Sequence, residues 1–183
     1  AIRVGFERVK GLGPAGIAAI LKARGRGPFD CLSDCLRRTG LGREEARALI
    51  LCGAFDCMGS HRPALMLELE LARRARAGRP DGQAMLLSAR PAVPDAAADY
   101  TPLQKCHHQR RILGISVDGH VMSSCRAGLA NLTDADSRQL TQRIGRRVRL
   151  AGVLEAVRTA PGRNGRQVTF LTLQDEYGLF EAS

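Results

Sequence analysis

Gly11-Leu12-Gly13 and Gly40-Leu41-Gly42 repeat one short phrase 29 residues apart, and each copy opens a segment with helical spacing. The apolar residues behind the two copies keep the offset: Ile17 answers Ala46, Ala19 answers Ala48, Ile20 answers Leu49 and Leu21 answers Ile50. Glycine lets a backbone approach a ligand closely, and the first free N–H groups of a helix point at an anion. Two such turns on a basic chain predict a clamp on a nucleic-acid backbone. The competing reading is a turn between packed helices, in which glycine supplies only a positive φ.

Charge bears on that choice. The net charge is +10 and the pI about 10.2. Residues 1–79 hold 15 Arg or Lys against 8 Asp or Glu, an excess of seven. Such a balance favours a polyanionic partner. An Arg-rich chain whose arginines stand in for surface lysines would give the same total, and only Lys10 and Lys22 precede residue 100. There is no run of about 18 apolar residues to span a membrane and no charged-then-apolar leader, so the expected setting is cytoplasmic and nucleoid-associated. The chain begins at Ala1 and stops inside a strand pattern, and is expected to be a piece of a longer protein. The six cysteines (Cys31, Cys35, Cys52, Cys57, Cys106, Cys125) include no Cys-x-x-Cys pair. Their spacing, with His107 and His108 after Cys106, is not that of the common zinc sites, and reduced, partly buried thiols are expected.

Along the chain, Ile2, Val4 and Phe6 alternate with polar or small residues and predict a short strand. Pro14 suits a first helical position, and a helix over 15–24 ends on Lys22 and Arg24 before Gly25, Gly27 and Pro28. Asp30 or Ser33 is expected to cap a second helix through Arg38. A strong helix is predicted over 43–52, and one capped by Ser60 over 61–77. Residues 78–99, with Gly78, Pro80, Gly82, Pro91 and Pro94, read as a linker. Residues 101–112 look helical, 112–122 loop-like, and 133–144 again helical. From Arg146 the period changes to two. Val148, Leu150, Gly152 and Leu154 share a face, then turns at 161–165 and 175–178 separate two further strands. The predicted organisation is an α domain over 1–77, a linker over 78–99, a helical connector over 100–145 and antiparallel strands over 146–183.

The order of these parts resembles the region C-terminal to the polymerase core in bacterial C-family DNA polymerases, the polymerase III alpha-subunit type. The residues from Arg8 to Gly13, Gly27-Pro28-Phe29 with Leu32, and Ala48 to Asp56 are similar to that family's tandem helix-hairpin-helix module. Leu113-Gly114 with Gly119-His120 is similar to its connector, although Val121 stands where the family usually has Pro. Arg147 to Ala151 and Phe170 to Gly178 resemble the first strands of its OB fold, cut short here. The implied fold class is mainly α, a tandem helix-hairpin-helix, followed by a partial antiparallel β-barrel. The strand phrasing resembles the error-prone branch as well as the replicative one.

The resemblance implies sequence-nonspecific contact with double-stranded DNA. The candidate contacts are Lys10, Gly11, Leu12, Gly13, Lys22, Arg24, Gly40, Gly42, Gly53, Ser60 and Arg62, with Arg26, Arg38 and Arg43 adding charge. Glu44 and Glu45 put negative charge at the second helix start, so the first turn and the stretch from Gly53 to Arg62 are favoured. Gln83, Met85, Leu86 and Leu87 resemble a sliding-clamp docking peptide. Single-stranded DNA is an implied partner of the complete OB fold, with Phe170, Tyr177 and Phe180 as its available aromatics. Glu44-Glu45 and Asp175-Glu176 are adjacent pairs unlike a metal-holding carboxylate cluster, so no catalytic residue and no metal site are expected. The family's divalent metals belong upstream, and a monovalent cation at a hairpin is its one implied local ion. A protein-interaction adaptor and a DNA-binding fragment of a nuclease or ligase remain alternative readings.

Overall fold

The computed structural model describes residues 3–77, 98–162 and 165–183, in two units, Ala1–Ile115 and Ser116–Ser183.

The first unit is helical. Val4 and Phe6 lie partly buried on its core, but among the described residues no strand forms there: Gly5 is extended and Phe6–Arg8 is a single 3-10 turn. With no partner strand among the described residues, Val4 and Phe6 have no ladder to join. Helix α1, Pro14–Arg24, starts on its proline and buries Ile20 and Ala23. Helix α2, Leu32–Thr39, is capped by Cys31, whose Sγ accepts from the Asp34 N–H at 3.4 Å, rather than by Asp30 or Ser33. Ser33 lies inside the helix and meets Glu68 instead. Gly40 then takes the left-handed conformation (φ 68°), and its N–H closes on the Leu36 carbonyl at 3.0 Å. Helix α3 runs Arg43–Cys52, with the predicted bounds. Helix α4 runs Arg62–Ala77, so His61 rather than Ser60 immediately precedes it. Helix α5, Pro102–Leu113, is closed by the reciprocal Thr101–Gln104 capping box.

Leu32, Leu49, Ile50, Leu65 and Leu69 form the centre of the core, with Ile112 and Leu113 of α5 in the same cluster. Each of the five contributes about 1.5–3 kcal/mol by its burial. Helix α5 therefore belongs to the first unit, and the predicted connector over 100–145 is divided between the two.

In the second unit, helix α6 (Val121–Leu129) lies in a stretch the sequence left without a helix. It is started by His120, whose Nδ1 accepts from the Met122 N–H at 3.1 Å. The predicted helix over 133–144 is a 3-10 segment, Ser137–Arg143, capped by Asp136. Three antiparallel strands follow in the order β1 (Val153–Pro161), β2 (Gln167–Gln174) and β3 (Leu179–Ala182). The first begins seven residues later than predicted. Arg149 and Asp134 exchange bonds, Asp134 N–H to Arg149 O and Arg149 N–H to Asp134 Oδ1, both at 3.0 Å, which ties that stretch to a loop. Cross-strand register puts Leu154, Leu173 and Phe180 on one face, with Val157 and Leu171, and puts Arg158 and Phe170 on the other. The fold is thus a mainly α module followed by a partial antiparallel sheet. Among the described residues no helix is long and apolar enough to cross a membrane.

Candidate nucleic-acid interface

The two Gly-Leu-Gly turns meet on one side chain. Glu45, in the first turn of α3, accepts from the Gly42 N–H through Oε2 at 3.0 Å and from the Gly13 N–H through Oε1 at 3.4 Å. Both amides, expected to face phosphate, are directed at this carboxylate. Gly16 accommodates it: a Cβ there would lie 2.5 Å from Glu45 Oε1 and 2.9 Å from Leu12 Cδ1. Glycine inside a helix costs about 1 kcal/mol relative to alanine, and the carboxylate is its reason here.

The leucines between the glycines point inward. Leu12 is 8% and Leu41 6% exposed, so Leu12 is a core residue rather than a surface contact. The Leu12 N–H bonds to Val9 O at 3.1 Å, and the Lys10 N–H bonds to Ile112 O at 3.1 Å, which fastens the first turn to the end of α5. Gly11 is the exposed tip of that turn, at φ 92°.

The third turn is closed from within. Arg62 is 1% exposed. Its guanidinium grips Asp56 (Nε–Oδ1 2.9 Å, Nη2–Oδ2 2.5 Å) and donates to Leu51 O at 3.1 Å. It is a structural strut, which corrects its assignment as a DNA contact. Gly53 caps α3 at φ 93°, and a Cβ on it would strike the Arg62 guanidinium. Ser60, two residues before Arg62 in the chain, is half-buried. Arg38 is likewise internal in role: it donates to the carbonyls of Pro28, Gly27 and Ala23 and lies 4.7 Å over the Phe29 ring.

The remaining cations divide by motif. Arg43 pairs with Glu70 at 2.7 Å and Glu44 at 3.2 Å, and Arg47 with Glu44 at 3.6 Å. Hydrogen bonding to Glu70, more than any other contact, raises the Arg43 pKa. By contrast Arg3, Arg8, Lys10, Lys22, Arg24 and Arg26 are all exposed and make no ion pair among the described residues. They do not ring one turn: Lys22 and Arg24 lie at the far end of α1, about 12–15 Å from its start at 1.5 Å per residue.

In the second unit each sequence-picked aromatic has a close neighbour. The Arg158 guanidinium lies 4.6 Å over Phe170 and that of Arg138 3.5 Å over Tyr177. Phe180 backs onto Gly152, where a Cβ would come within 3.0 Å of its ring. Asp175 is buried and accepts from Ser137 N–H and Oγ and from the Tyr177 and Gly178 N–H groups, all within 3.0 Å. Burial alone would raise its pKa, but these bonds outweigh it and hold the carboxyl below its ordinary value. Burial pushes the Cys35 thiol up to about 11 and raises that of Cys52. Among the described residues no group of three His, Cys, Asp or Glu is arranged to hold a metal ion. The residues Gln83, Met85, Leu86 and Leu87 lie outside the described residues.

Paired glycine turns, each opening a helix, define the helix-hairpin-helix class, and residues 1–65 match the helix-hairpin-helix motif. Over 99% of its length the chain is 37% identical to an error-prone DNA polymerase of Symbiobacterium thermophilum, covering 19% of that protein. It is 32% identical over 95% of its length to the DNA polymerase III subunit alpha of Haemophilus influenzae, and 32% over 96% to an error-prone DNA polymerase of Mesorhizobium japonicum. It covers 16% of each. The chain belongs to the bacterial DNA polymerase III alpha-subunit type, as a region spanning less than a fifth of those relatives.

Sequence reasoning missed two features. Glu45 at the third position of α3 was legible as half of a capping box with Gly42, but its reach to Gly13 is tertiary. Arg3 and Arg8 were not among the predicted contacts, because they precede the first Gly-Leu-Gly turn.

Proposed function

We propose that the first unit is a sequence-nonspecific duplex-DNA module of a bacterial DNA polymerase, and that it engages the phosphate backbone mainly through its first motif. The observation that carries this reading is the set of exposed cations Arg3, Arg8, Lys10, Lys22, Arg24 and Arg26, which make no ion pair among the described residues, set against the acid-paired arginines of the second motif. Unpaired charge releases counterions from a duplex, whereas a paired arginine must first give up its carboxylate. The polymerase names of the relatives support the same assignment. Within the longer protein the three strands would begin an OB fold able to take single-stranded template, and Gln83 to Leu87 would dock on the sliding clamp.

Duplex affinity measured against salt tests the central claim. The slope of log K against log salt should be about −0.9 per phosphate neutralised. Replacing Lys10, Lys22 and Arg24 together by Ala should weaken binding and flatten the slope. A flat response in the parent chain, or an unaffected variant, rejects the reading. For the clamp peptide, pull-down by the clamp should be lost when Gln83 and Leu86 are replaced.

A further inference from the structure

We infer that Glu45 is a positioning residue for DNA binding: its one carboxylate locks the two glycine turns in a fixed mutual placement, and the duplex is met by that locked pair. The inference deepens the duplex-binding reading above and rests on it.

Three observations converge on the lock. The two carboxylate oxygens are divided between the turns, Oε1 to Gly13 and Oε2 to Gly42. The Gly13 and Gly42 amides open α1 and α3, so the carboxylate also lies at the positive ends of both helix dipoles. Gly16 leaves the space the carboxylate needs. Glu44 beside it has a different task, pairing with Arg43 and Arg47. A residue that merely capped its own helix would need only Gly42. The bond to Gly13, 32 residues away, serves the relation between the turns.

The lock sets an unusual sign. A carboxylate near a phosphate-binding surface is repulsive, so its removal should tighten DNA binding on charge alone. If Glu45 positions the turns, Glu45→Gln should weaken binding instead. The amide can still accept through one oxygen, but its other end is a donor and cannot face an N–H. Gly16→Ala makes the same test without changing charge, because the new methyl group displaces the carboxylate. Helix propensity alone favours this substitution, but the methyl group also presses on Leu12 Cδ1, so the lock is read from DNA binding and its salt slope and not from thermal stability.

The experiment is fluorescence anisotropy of a labelled random-sequence duplex titrated with the 183-residue chain and each variant over a salt series. Circular dichroism identifies a temperature at which each variant is fully folded. The expected result for both is affinity weaker by about tenfold and a salt slope shallower by about one phosphate. A merely destabilised but fully folded variant would keep its slope. Should Glu45→Gln fail to fold, Gly16→Ala decides. Unchanged or tighter binding, with the slope retained, overturns the lock and leaves the duplex reading standing. Absence of salt-dependent binding by the parent chain overturns the duplex reading and the lock with it.

Discussion

Arg62 carries a full charge at 1% exposure and repays it with Asp56 and the Leu51 carbonyl. Removing the arginine leaves Asp56 in contact with solvent, since its side chain is 41% exposed, but it deprives the Leu51 carbonyl of its donor, at about 1–3 kcal/mol, and opens a cavity where a buried side chain stood. Arg62→Ala should therefore lower the urea midpoint sharply without changing the salt slope of DNA binding, because the guanidinium faces inward. Gly53→Ala should also destabilise, since it combines a positive φ with a collision against Arg62. At this scale the sequence was least legible. An arginine two residues after a serine, near the start of a helix, reads as a surface cation, and only the packing of Asp56 under it reveals otherwise. The same holds for Leu12: its place between two glycines implied a turn, and the core at Ile112 and Leu113 decided which way its side chain went.

Between elements, carboxylates from one helix repeatedly finish another. Glu68 of α4, 2% exposed, accepts from the Ser33 N–H at 3.2 Å and from its Oγ at 2.9 Å, and so completes the first turn of α2. Glu68→Ala leaves those half-buried donors without their acceptor, and the chain should lose about 1 kcal/mol of stability in chemical denaturation. Asp175 does the equivalent for the 3-10 segment Ser137–Arg143 and the β2–β3 turn. Its folded pKa lies below its ordinary 3.8, so its stabilisation is complete above that value and is lost as pH falls further. Thermal melts should register this loss below about pH 4, and Asp175→Asn should lose the dependence along with stability. Helix α3 was readable to the residue because Gly42, Glu45 and Gly53 mark both ends. Helix α6 was not, because its cap is a histidine, outside the usual set of Ser, Thr, Asp and Asn. The start of β1 was misjudged because Val148 and Leu150 keep the alternation while Arg149 bonds to a loop.

For the whole molecule, the repeat is symmetric in sequence and asymmetric in charge. Among the described residues, acids pair with Arg43 and Arg47 of the second motif and with none of the exposed cations of the first. Replacing Glu44 and Glu70 by Gln releases Arg43 and Arg47, and duplex affinity should rise by a few-fold at low salt, an effect that fades above about 0.15 M as screening takes hold. The order of helices before strands was legible, since the period changes from 3.6 to 2 near Arg146, but the boundary between the two units falls earlier, at Ile115 and Ser116, inside the predicted connector. What the alternation could not convey is that the starts of α1 and α3 are both filled by Glu45, a property of side chains brought together from distant positions.

The Glu45 bridge also has a dynamic consequence. Amide protons at helix starts ordinarily exchange with solvent deuterium almost freely, each at its own rate. Here one excursion of one side chain uncovers both Gly13 and Gly42. Those two amides should be protected from exchange and should share a single opening rate, as one gate serving two positions.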